Sequence, residues 1–190
     1  MLLGVALAAI AALIGVTLAL RKSLERERRL ARTDVVTGVR TARAFYEAAA
    51  AEIERARRYQ HPFSVAAVHL GHRVPDELLR ATAVALRLAL RATDFIARLG
   101  RDEFVVLLPE TSAPAARVVL EKLRAGLSDT RSSDGRPVVV TIGGVTFVDP
   151  PTSVDEIVRG ADERITEAKT TGTPSHSTWN QPPPPPPDAR

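Results

Sequence analysis

The chain has 190 residues, no cysteine and a formal net charge of +4. The lack of cysteine excludes disulfide bonds, thiolate metal sites and cysteine catalysis. Hydrophobic residues make up 45% of the chain and aromatic residues only 4%, so a packed core must be built mainly from Leu, Val, Ile and Ala. The positive charge is unevenly distributed, and nucleic-acid binding is therefore not expected.

The N-terminal segment predicts a membrane anchor. Residues 2–20 contain no charge and no proline, and as a helix they would extend about 28 Å, close to the hydrocarbon thickness of a bilayer. We therefore predict a transmembrane helix over 1–20. Residues 21–32 predict a basic helical stalk, which by the positive-inside rule places the N-terminus outside and the rest of the chain in the cytoplasm. A cleaved signal peptide is the alternative, but no basic residue precedes the apolar run.

The next segments alternate between helical and strand patterns. Residues 61–70 predict a buried strand because they are nearly all apolar. The helix before this strand has an apolar face formed by Phe45, Ala49, Ile53 and Ala56. The helix after it has an apolar stripe formed by Leu79, Val84, Leu86 and Leu90.

Residues 94–110 predict a hairpin with two acids at its tip. Gly100-Arg101 fits the Gly-X pattern of a two-residue type II′ turn, and Asp102 and Glu103 follow it. A magnesium-nucleotide site would need a further carboxylate from the neighbouring strand. That strand offers His69, which suits zinc or copper better. A weak metal site at Asp102 and His69 and a solvated hairpin tip both stay open.

The remaining segments complete the fold prediction. A helix over 113–128, a strand over 137–148 and a helix over 153–169 follow. This order predicts an α+β fold in which helices flank a central, mostly antiparallel sheet. Residues 174–190 show no periodicity and contain six consecutive prolines, which predicts a disordered tail. Docking of the proline run on an aromatic groove is the alternative.

Five motifs in this order resemble the GGDEF domains of bacterial diguanylate cyclases, which join two GTP molecules into cyclic di-GMP. The resemblance covers residues 33–173 and implies the nucleotidyl-cyclase-like α+β fold of that family. Each motif alone is weak, but their order is specific. The motifs are Asp34-Val-Val-Thr37-Gly38-Val39, Gly71-His72 with Asp76 and Leu79, Arg98-Leu-Gly-Arg-Asp-Glu-Phe104, Thr141-Ile-Gly-Gly-Val145, and Ala161-Asp162 with Ala168-Lys169 and Gly172.

The resemblance also implies site residues. In an active member, Glu103 and Asp102 would be catalytic and metal-binding with Mg²⁺, while Asp76, Gly100 and Lys169 would bind substrate.

The sequence also departs from the family pattern. The departures are His69 in place of a metal-binding aspartate, a missing D-x-F-K-x-x-N-D segment after Leu70, Arg101 in place of the second signature glycine, and Thr173 in place of a basic residue. Phosphoryl transfer depends on positioning and charge, so such losses lower activity by orders of magnitude.

A second motif lies just before the hairpin. Arg91-Ala-Thr-Asp94 resembles the R-x-x-D of the family's product-inhibition site, which implies cyclic di-GMP binding through Arg91 and Asp94. A guanidinium group suits this task because it binds phosphate bidentately and stacks on bases. The alternative is a structural i, i+3 salt bridge at the end of a helix.

The sequence therefore predicts a degenerate, catalytically inactive GGDEF protein at the cell membrane. It would act as a cyclic di-GMP receptor or as a regulatory partner in a homo- or hetero-dimer of GGDEF domains. GTP binding is not expected, and Mg²⁺ is needed only if the domain is active. One alternative is a weakly active diguanylate cyclase. Another is a membrane interaction protein that acts independently of nucleotides.

Overall fold

A computed structural model describes residues 32–71, 74–128, 131, 139–173 and 175–179. The predicted transmembrane helix, nearly all of the stalk, His72 and the proline run lie outside these residues. None of the helices within the described ranges has the length and apolarity needed to cross a membrane. The described fold belongs to a compact unit, Thr33–Arg190.

Four helices alternate with six strands in the described part of the chain. The helices are α1 (Ala42–Tyr59), α2 (Asp76–Ala89), α3 (Ala113–Leu127) and α4 (Val154–Thr171). The strands are β1 (Arg40–Thr41), β2 (Phe63–Leu70), β3 (Phe95–Arg98), β4 (Glu103–Leu108), β5 (Val140–Phe147) and β6 (Ser175–Trp179).

All six strands form one mixed sheet in the order β1-β3-β4-β2-β5-β6. The three central pairings, β3 with β4, β4 with β2 and β2 with β5, are antiparallel. The two edge strands pair in parallel, β1 with β3 and β6 with β5. The α+β prediction is confirmed. The sheet is antiparallel in its centre, as predicted, but the pairings at both of its edges are parallel.

The sheet separates two apolar cores because side chains alternate along each strand. On one face, Phe63 and Val65 of β2 pack with residues of α1 and α4. On the other face, Ala66 and Val68 pack with residues of α2 and α3. The helices α1 and α2 therefore lie on opposite sides of the sheet.

The predicted faces of the two helices differ in outcome. In α1 all four predicted positions are buried, namely Phe45, Ala49, Ile53 and Ala56. In α2, Leu79 and Leu86 are buried, but Val84 is exposed and Leu90 is the half-buried residue that ends the helix. The prediction was wrong for Val84 because it lies two residues before Leu86, about 200° around the helix axis.

The predicted disordered tail begins with a strand instead. Ser175–Trp179 forms β6 and pairs with Gly143–Phe147 of β5. A partly buried hydrogen bond also joins the two strands, since the His176 ring Nε2 lies 2.9 Å from Thr146 Oγ1. This short polar strand has no periodic signal of its own, and the edge of β5 supplies its hydrogen-bond partners.

Candidate functional site

The hairpin tip is a loop of three residues, not the predicted two-residue turn. Arg98 is paired with Phe104 across β3 and β4, and the Leu99 N–H donates to the Glu103 carbonyl at 3.0 Å. A type II′ turn needs a positive φ at its glycine, and the described glycines with positive φ are Gly38 and Gly172. The turn prediction was wrong because the strand register leaves residues 100–102 between the paired ends.

Arg98 holds this loop in place. Its Nε donates to the Gly100 carbonyl at 3.0 Å and its Nη2 donates to the Arg101 carbonyl. Its Nη1 lies 3.2 Å from Asp34 Oδ1, in an ion pair whose side chains are only 12% and 21% exposed. The loop is therefore fixed by contacts to backbone oxygens and to the Asp34 turn.

The Asp34 turn is itself strongly hydrogen-bonded. Asp34 Oδ1 accepts from the Thr37 N–H at 2.9 Å and from Thr37 Oγ1 at 2.6 Å. Burial acts to raise the pKa of Asp34, but the hydrogen bonds from Thr37 and Arg98 outweigh it and hold the pKa below its ordinary value. Asp34 is thus an ionised anchor that connects the first motif to the hairpin.

Glu103 lies in a cluster of acids on the α4 side of the sheet. It is directly opposite His69 of β2, which is in turn opposite Thr141 of β5. Burial raises the pKa of Glu103, the negative charges of Asp162 and Asp102 raise it further, and the positive charge of Lys169 lowers it. Asp162 behaves similarly, with its pKa raised by burial and opposed by Lys169. Both carboxyl groups therefore hold a proton more tightly than an isolated carboxyl group does.

Gly143 lets α4 come close enough to form this cluster. A Cβ atom at this position would lie 2.5 Å from the Ile165 nitrogen and 2.6 Å from the Arg164 carbonyl carbon. Backbone atoms cannot yield at such distances, so only glycine fits here. The helix α4, which carries Asp162 and Lys169, packs directly on β5.

The structure brings together some of the predicted site residues but not all. Asp102, Glu103 and Lys169 lie in one electrostatic cluster, and Gly100 lies beside Glu103. Asp102 also uses its carbonyl oxygen to accept the Leu70 N–H at 2.9 Å. Asp76 is an exposed residue in the first turn of α2, and no contact joins it to the cluster within the described residues.

The donor set of this cluster does not fit Mg²⁺. This ion prefers six oxygen ligands in octahedral geometry, whereas the strand neighbour of Glu103 is the imidazole of His69. Across the ranges that the structure describes, no three His, Asp or Glu side chains form a group that could hold a metal ion.

The Arg91–Asp94 pair lies in a turn that follows α2. Asp94 Oδ2 accepts the Arg91 backbone N–H at 2.8 Å, and the Asp94 N–H donates to the Arg91 carbonyl at 3.1 Å. The contact is therefore a carboxylate closing a turn and not the side-chain salt bridge of the structural alternative. The Arg91 guanidinium makes no hydrogen bond or ion pair with any residue that the structure describes.

Arg91 and Asp94 line a cleft of about 800 Å³ together with Arg40 and Arg87. Arg87 Nη2 donates to the Thr37 carbonyl at 3.4 Å, which turns this guanidinium toward the cleft. Three guanidinium groups against one carboxylate give the cleft a positive charge, and this arrangement suits a phosphate-containing ligand.

Sequence reasoning missed several of these residues. Arg98 was noted only as part of a motif, and Arg40 and Arg87 carried no signal because their approach to Arg91 depends on the fold. Asp162 was likewise noted only as part of the closing motif. Its spacing of seven residues from Lys169 places both on one side of a helix, and that pattern could have identified the pair.

Residues 31–175 match the family model described as the diguanylate cyclase GGDEF domain. The chain belongs to this family. It is 34% identical over 166 residues to diguanylate cyclase DgcP of Pseudomonas aeruginosa, which covers 81% of this chain and 25% of DgcP. It is 29% identical over 168 residues to the response regulator PleD of Caulobacter vibrioides, which covers 80% of this chain and 37% of PleD. The GGDEF chain thus spans only a part of these relatives.

A solved structure supports the same fold. The coiled coil and GGDEF domain of DgcB from Caulobacter crescentus, in complex with c-di-GMP, superposes with a TM-score of 0.70 at 21% identity. The match covers 90% of this chain and 98% of that chain. The protein therefore carries a GGDEF domain with a nucleotidyl-cyclase-like α+β fold.

Proposed function

We propose that this GGDEF domain is a catalytically silent receptor for cyclic di-GMP. The observation that carries the proposal is the guanidinium of Arg91, which pairs with no described residue and lies beside Asp94 in a cleft with two further arginines. A cyclic dinucleotide presents two phosphates and two guanine edges. Guanidinium groups bind phosphate through paired N–H donors and stack on bases, so the cleft offers both kinds of contact.

The turn holds the Asp94 carboxylate in a position to accept a hydrogen bond from a guanine ring. Its Oδ2 is held by the Arg91 N–H, while Oδ1 has no hydrogen-bond partner among the described residues. A fixed carboxylate oxygen can accept a hydrogen bond from a guanine N–H without first losing rotamer freedom. Arg87 and Arg40 add positive charge for the second phosphate.

The hairpin supports the proposal that the domain is catalytically inactive. His69 lies opposite Glu103, where an imidazole does not supply the negative charge with which an aspartate would balance a metal ion. Arg101 is exposed at the loop tip, where a side chain occupies the space that a glycine leaves for phosphate. Members of the family use Mg²⁺ when active, and the acids here do not fit that ion.

Isothermal calorimetry on the full chain with cyclic di-GMP tests the receptor proposal. We expect binding by the wild type and an affinity about 10- to 100-fold lower in Arg91→Ala, because a charge-assisted bidentate contact is lost. Arg58→Ala is the matched control, since Arg58 is an exposed arginine of α1 on the opposite face of the sheet. No heat with the wild type, or equal binding by Arg91→Ala, would contradict the proposal.

A weak diguanylate cyclase is the second candidate, and the acid cluster is the observation that favours it. Glu103, Asp102 and Lys169 lie together as the family's active members require by resemblance. Concentrated protein incubated with GTP and Mg²⁺ or Mn²⁺ separates the two candidates. We expect no cyclic di-GMP to form. Product that disappears in Asp102→Ala and in Glu103→Ala would replace the silent receptor by an enzyme.

We also propose that the chain is a single-pass protein of the cell membrane with its GGDEF domain in the cytoplasm. The apolar residues 2–20 and the basic residues 21–32 support this topology. A C-terminal fusion to green fluorescent protein should fluoresce in the membrane fraction, while a fusion to alkaline phosphatase should be inactive. An active phosphatase fusion would reverse the topology.

A further inference from the structure

A chain of polar groups crosses the sheet from β2 to β6 on the side of α3. Ser64 Oγ of β2 donates to the Thr111 carbonyl at 2.8 Å. The same Ser64 Oγ lies 2.7 Å from Thr146 Oγ1 of β5, which in turn lies 2.9 Å from the His176 ring Nε2 of β6. Ser64, Thr111 and Thr146 are buried. The four residues therefore depend on one another for their hydrogen bonds.

The direction of each hydrogen bond in this chain follows from the number of protons. A hydroxyl group has one proton to donate, and Ser64 uses its proton on a carbonyl oxygen, which can only accept. Thr146 must therefore donate to Ser64, and the His176 Nε2 must donate to Thr146. The neutral ring thus carries its proton on Nε2 and a lone pair on Nδ1.

The Nδ1 atom of His176 lies in a closed environment. It is buried and has no hydrogen-bond partner among the described residues. The ring packs beside Gly144, where an added Cβ would lie 3.3 Å from His176 Cδ2 and 2.8 Å from Leu120 Cδ1 of α3. The missing side chain of Gly144 thus leaves room for the imidazole between β5 and α3. A second proton on this ring would lie on Nδ1, where the described part of the chain offers no acceptor.

Helix α3 faces the ring with a positive charge. The guanidinium of Arg117 acts on His176 and disfavours a positive charge on the ring. The one acid of α3, Glu121, pairs with Arg124 at 2.9 Å. Lys122 donates to a carbonyl at the end of α2. The charge that α3 brings to His176 therefore has the same sign as the protonated ring.

The other elements beside β6 bring no compensating acid to the ring within the described residues. Strand β5 has no titratable side chain, and His176 is the titratable residue of β6. Gly143 and Gly144 face opposite sides of the sheet, and α4 packs at Gly143. The sheet thus separates the ring from α4, whose charged residues in its second half are Glu163, Arg164, Glu167 and Lys169.

We propose that His176 makes β6 an acid-released strand: a proton taken up from solvent at Nδ1 detaches Ser175–Trp179 from β5. In the docked strand the protonated ring would bury a positive charge and an unpaired N–H group near Arg117, and both cost free energy. In the released strand, water hydrates the same ring. Detachment opens the outer edge of β5 along Gly143–Phe147, and an open edge can accept a strand of another chain.

The pH range of the release follows from the sign of the pKa change. Burial lowers the pKa of His176 from its ordinary value of 6.5, and Arg117 lowers it further. The released ring therefore binds a proton more readily than the docked ring. Docking is at full strength above about pH 6.5 and weakens as the pH falls below that value toward the pKa of the docked ring. At about pH 5.5 the docking equilibrium can weaken by at most about tenfold.

Amide hydrogen exchange of the full chain, measured by mass spectrometry, tests the proposal. Peptides that cover residues 175–179 report on β6, because pairing with β5 protects its amides. Wild type and His176→Gln are compared at the same pH, which cancels the intrinsic pH dependence of exchange. The glutamine amide can donate to Thr146 as Nε2 does, and it takes up no proton in this range. We expect equal protection at about pH 7.5 and about five- to tenfold less in the wild type at about pH 5.5.

His61→Gln is the matched control for this substitution. His61 precedes β2 and lies outside the polar chain, so this variant should lose protection of β6 in acid as the wild type does. Peptides of the central strand β4 should keep their protection at both pH values in all three proteins. A parallel loss in β4 would mean that the whole domain unfolds in acid, which would overturn the release of a single strand.

Nuclear magnetic resonance of the histidine rings gives a second test, which needs no docked variant. The full chain has four histidines, and His176→Gln identifies the signal of this ring by its loss. We expect the Nε2–H tautomer at neutral pH and a titration midpoint below 6.5. An Nδ1–H tautomer, a midpoint at or above that value, or acid release that persists in His176→Gln would each contradict the proposal. Neither test uses a nucleotide, so strand release and cyclic di-GMP binding fail independently.

Discussion

The two ends of β3 differ in charge and in how that charge is satisfied. Before the strand, the cleft is lined by Arg87, Arg91 and Asp94, and the Arg91 guanidinium pairs with none of the described residues. After the strand, the hairpin holds Glu103, whose pKa is raised by burial and by the negative charges of Asp162 and Asp102. The strand has four residues and spans about 13 Å. The cleft end of β3 therefore carries positive charge that can attract an anion, while the hairpin end carries several acids close together.

The contrast shows that the shape of the hairpin does not depend on its acids. Arg98 fixes the loop through carbonyl oxygens and through Asp34, and none of these contacts uses the carboxylates of Asp102 or Glu103. A signature loop can therefore keep its backbone path while its chemistry changes. The arginine cleft differs, because the Arg91 guanidinium makes no hydrogen bond or ion pair within the part of the chain that the structure describes.

The largest expected effect comes from Gly143→Ala. This substitution should disturb the acid cluster at the hairpin end of β3 and leave the arginine cleft at its other end intact. The added Cβ would meet the backbone of α4 at 2.5 Å and push this helix from β5. We expect a loss of about 3 kcal/mol in the free energy of unfolding, measured by urea titration, with cyclic di-GMP binding retained in the folded protein.

Gly126→Ala is the control for this substitution. No atom lies within 4 Å of the added Cβ, and alanine should stabilise α3 by up to about 1 kcal/mol. Equal stability of Gly143→Ala and wild type would show that α4 is not held by this close approach.

A loss of about 2 kcal/mol is expected for Arg98→Ala. The substitution removes a mostly buried ion pair with Asp34 and two hydrogen bonds to the loop. Urea unfolding measures the change. Arg101→Ala should stay within about 0.5 kcal/mol because its side chain is exposed and the loop uses only its carbonyl. If Arg101→Ala were the more destabilising of the two variants, Arg98 would not be the residue that holds the loop.

The smallest expected effect comes from Glu103→Gln, which should raise the free energy of unfolding by about 0.5 kcal/mol at neutral pH. The pKa of Glu103 is raised in the folded state, so its ionisation destabilises the protein as the pH rises above the ordinary value of 4.5. The gain should therefore be present at pH 7 and absent below about pH 4. Unfolding by urea at the two pH values measures it.

Asp34→Asn should change the free energy of unfolding in the opposite direction to Glu103→Gln. Its pKa is lowered in the folded state from the ordinary value of 3.8. Its ionised form therefore stabilises the protein above that pH, and this stability is lost as the pH falls through the folded pKa. The variant should be less stable than wild type at pH 7, with a difference that shrinks in acid. A pH-independent difference would mean that the charge of Asp34 is not what holds the hairpin.

The sequence by itself determined the order of the four helices and of strands β2 to β5, the buried face of α1, the presence of the hairpin and the family motifs. These features are local, since helical and strand periodicity are present within each segment. The two acids of the hairpin and the Arg91–Asp94 pair were also visible as short motifs. The failures were local as well: the turn type and the exposure of Val84 depend on register and on which side of α2 meets the sheet.

Tertiary structure alone decided which charges meet. Asp162 and Lys169 reach Glu103 only because Gly143 admits α4 to the sheet, and Asp34 meets Arg98 across 64 positions of the chain. The strand β6 forms because β5 offers an open edge. Each of these contacts joins segments that are distant in sequence, so no periodic pattern encodes it. The packing of helices on the sheet sets the distances on which the electrostatics of both ends of β3 depend.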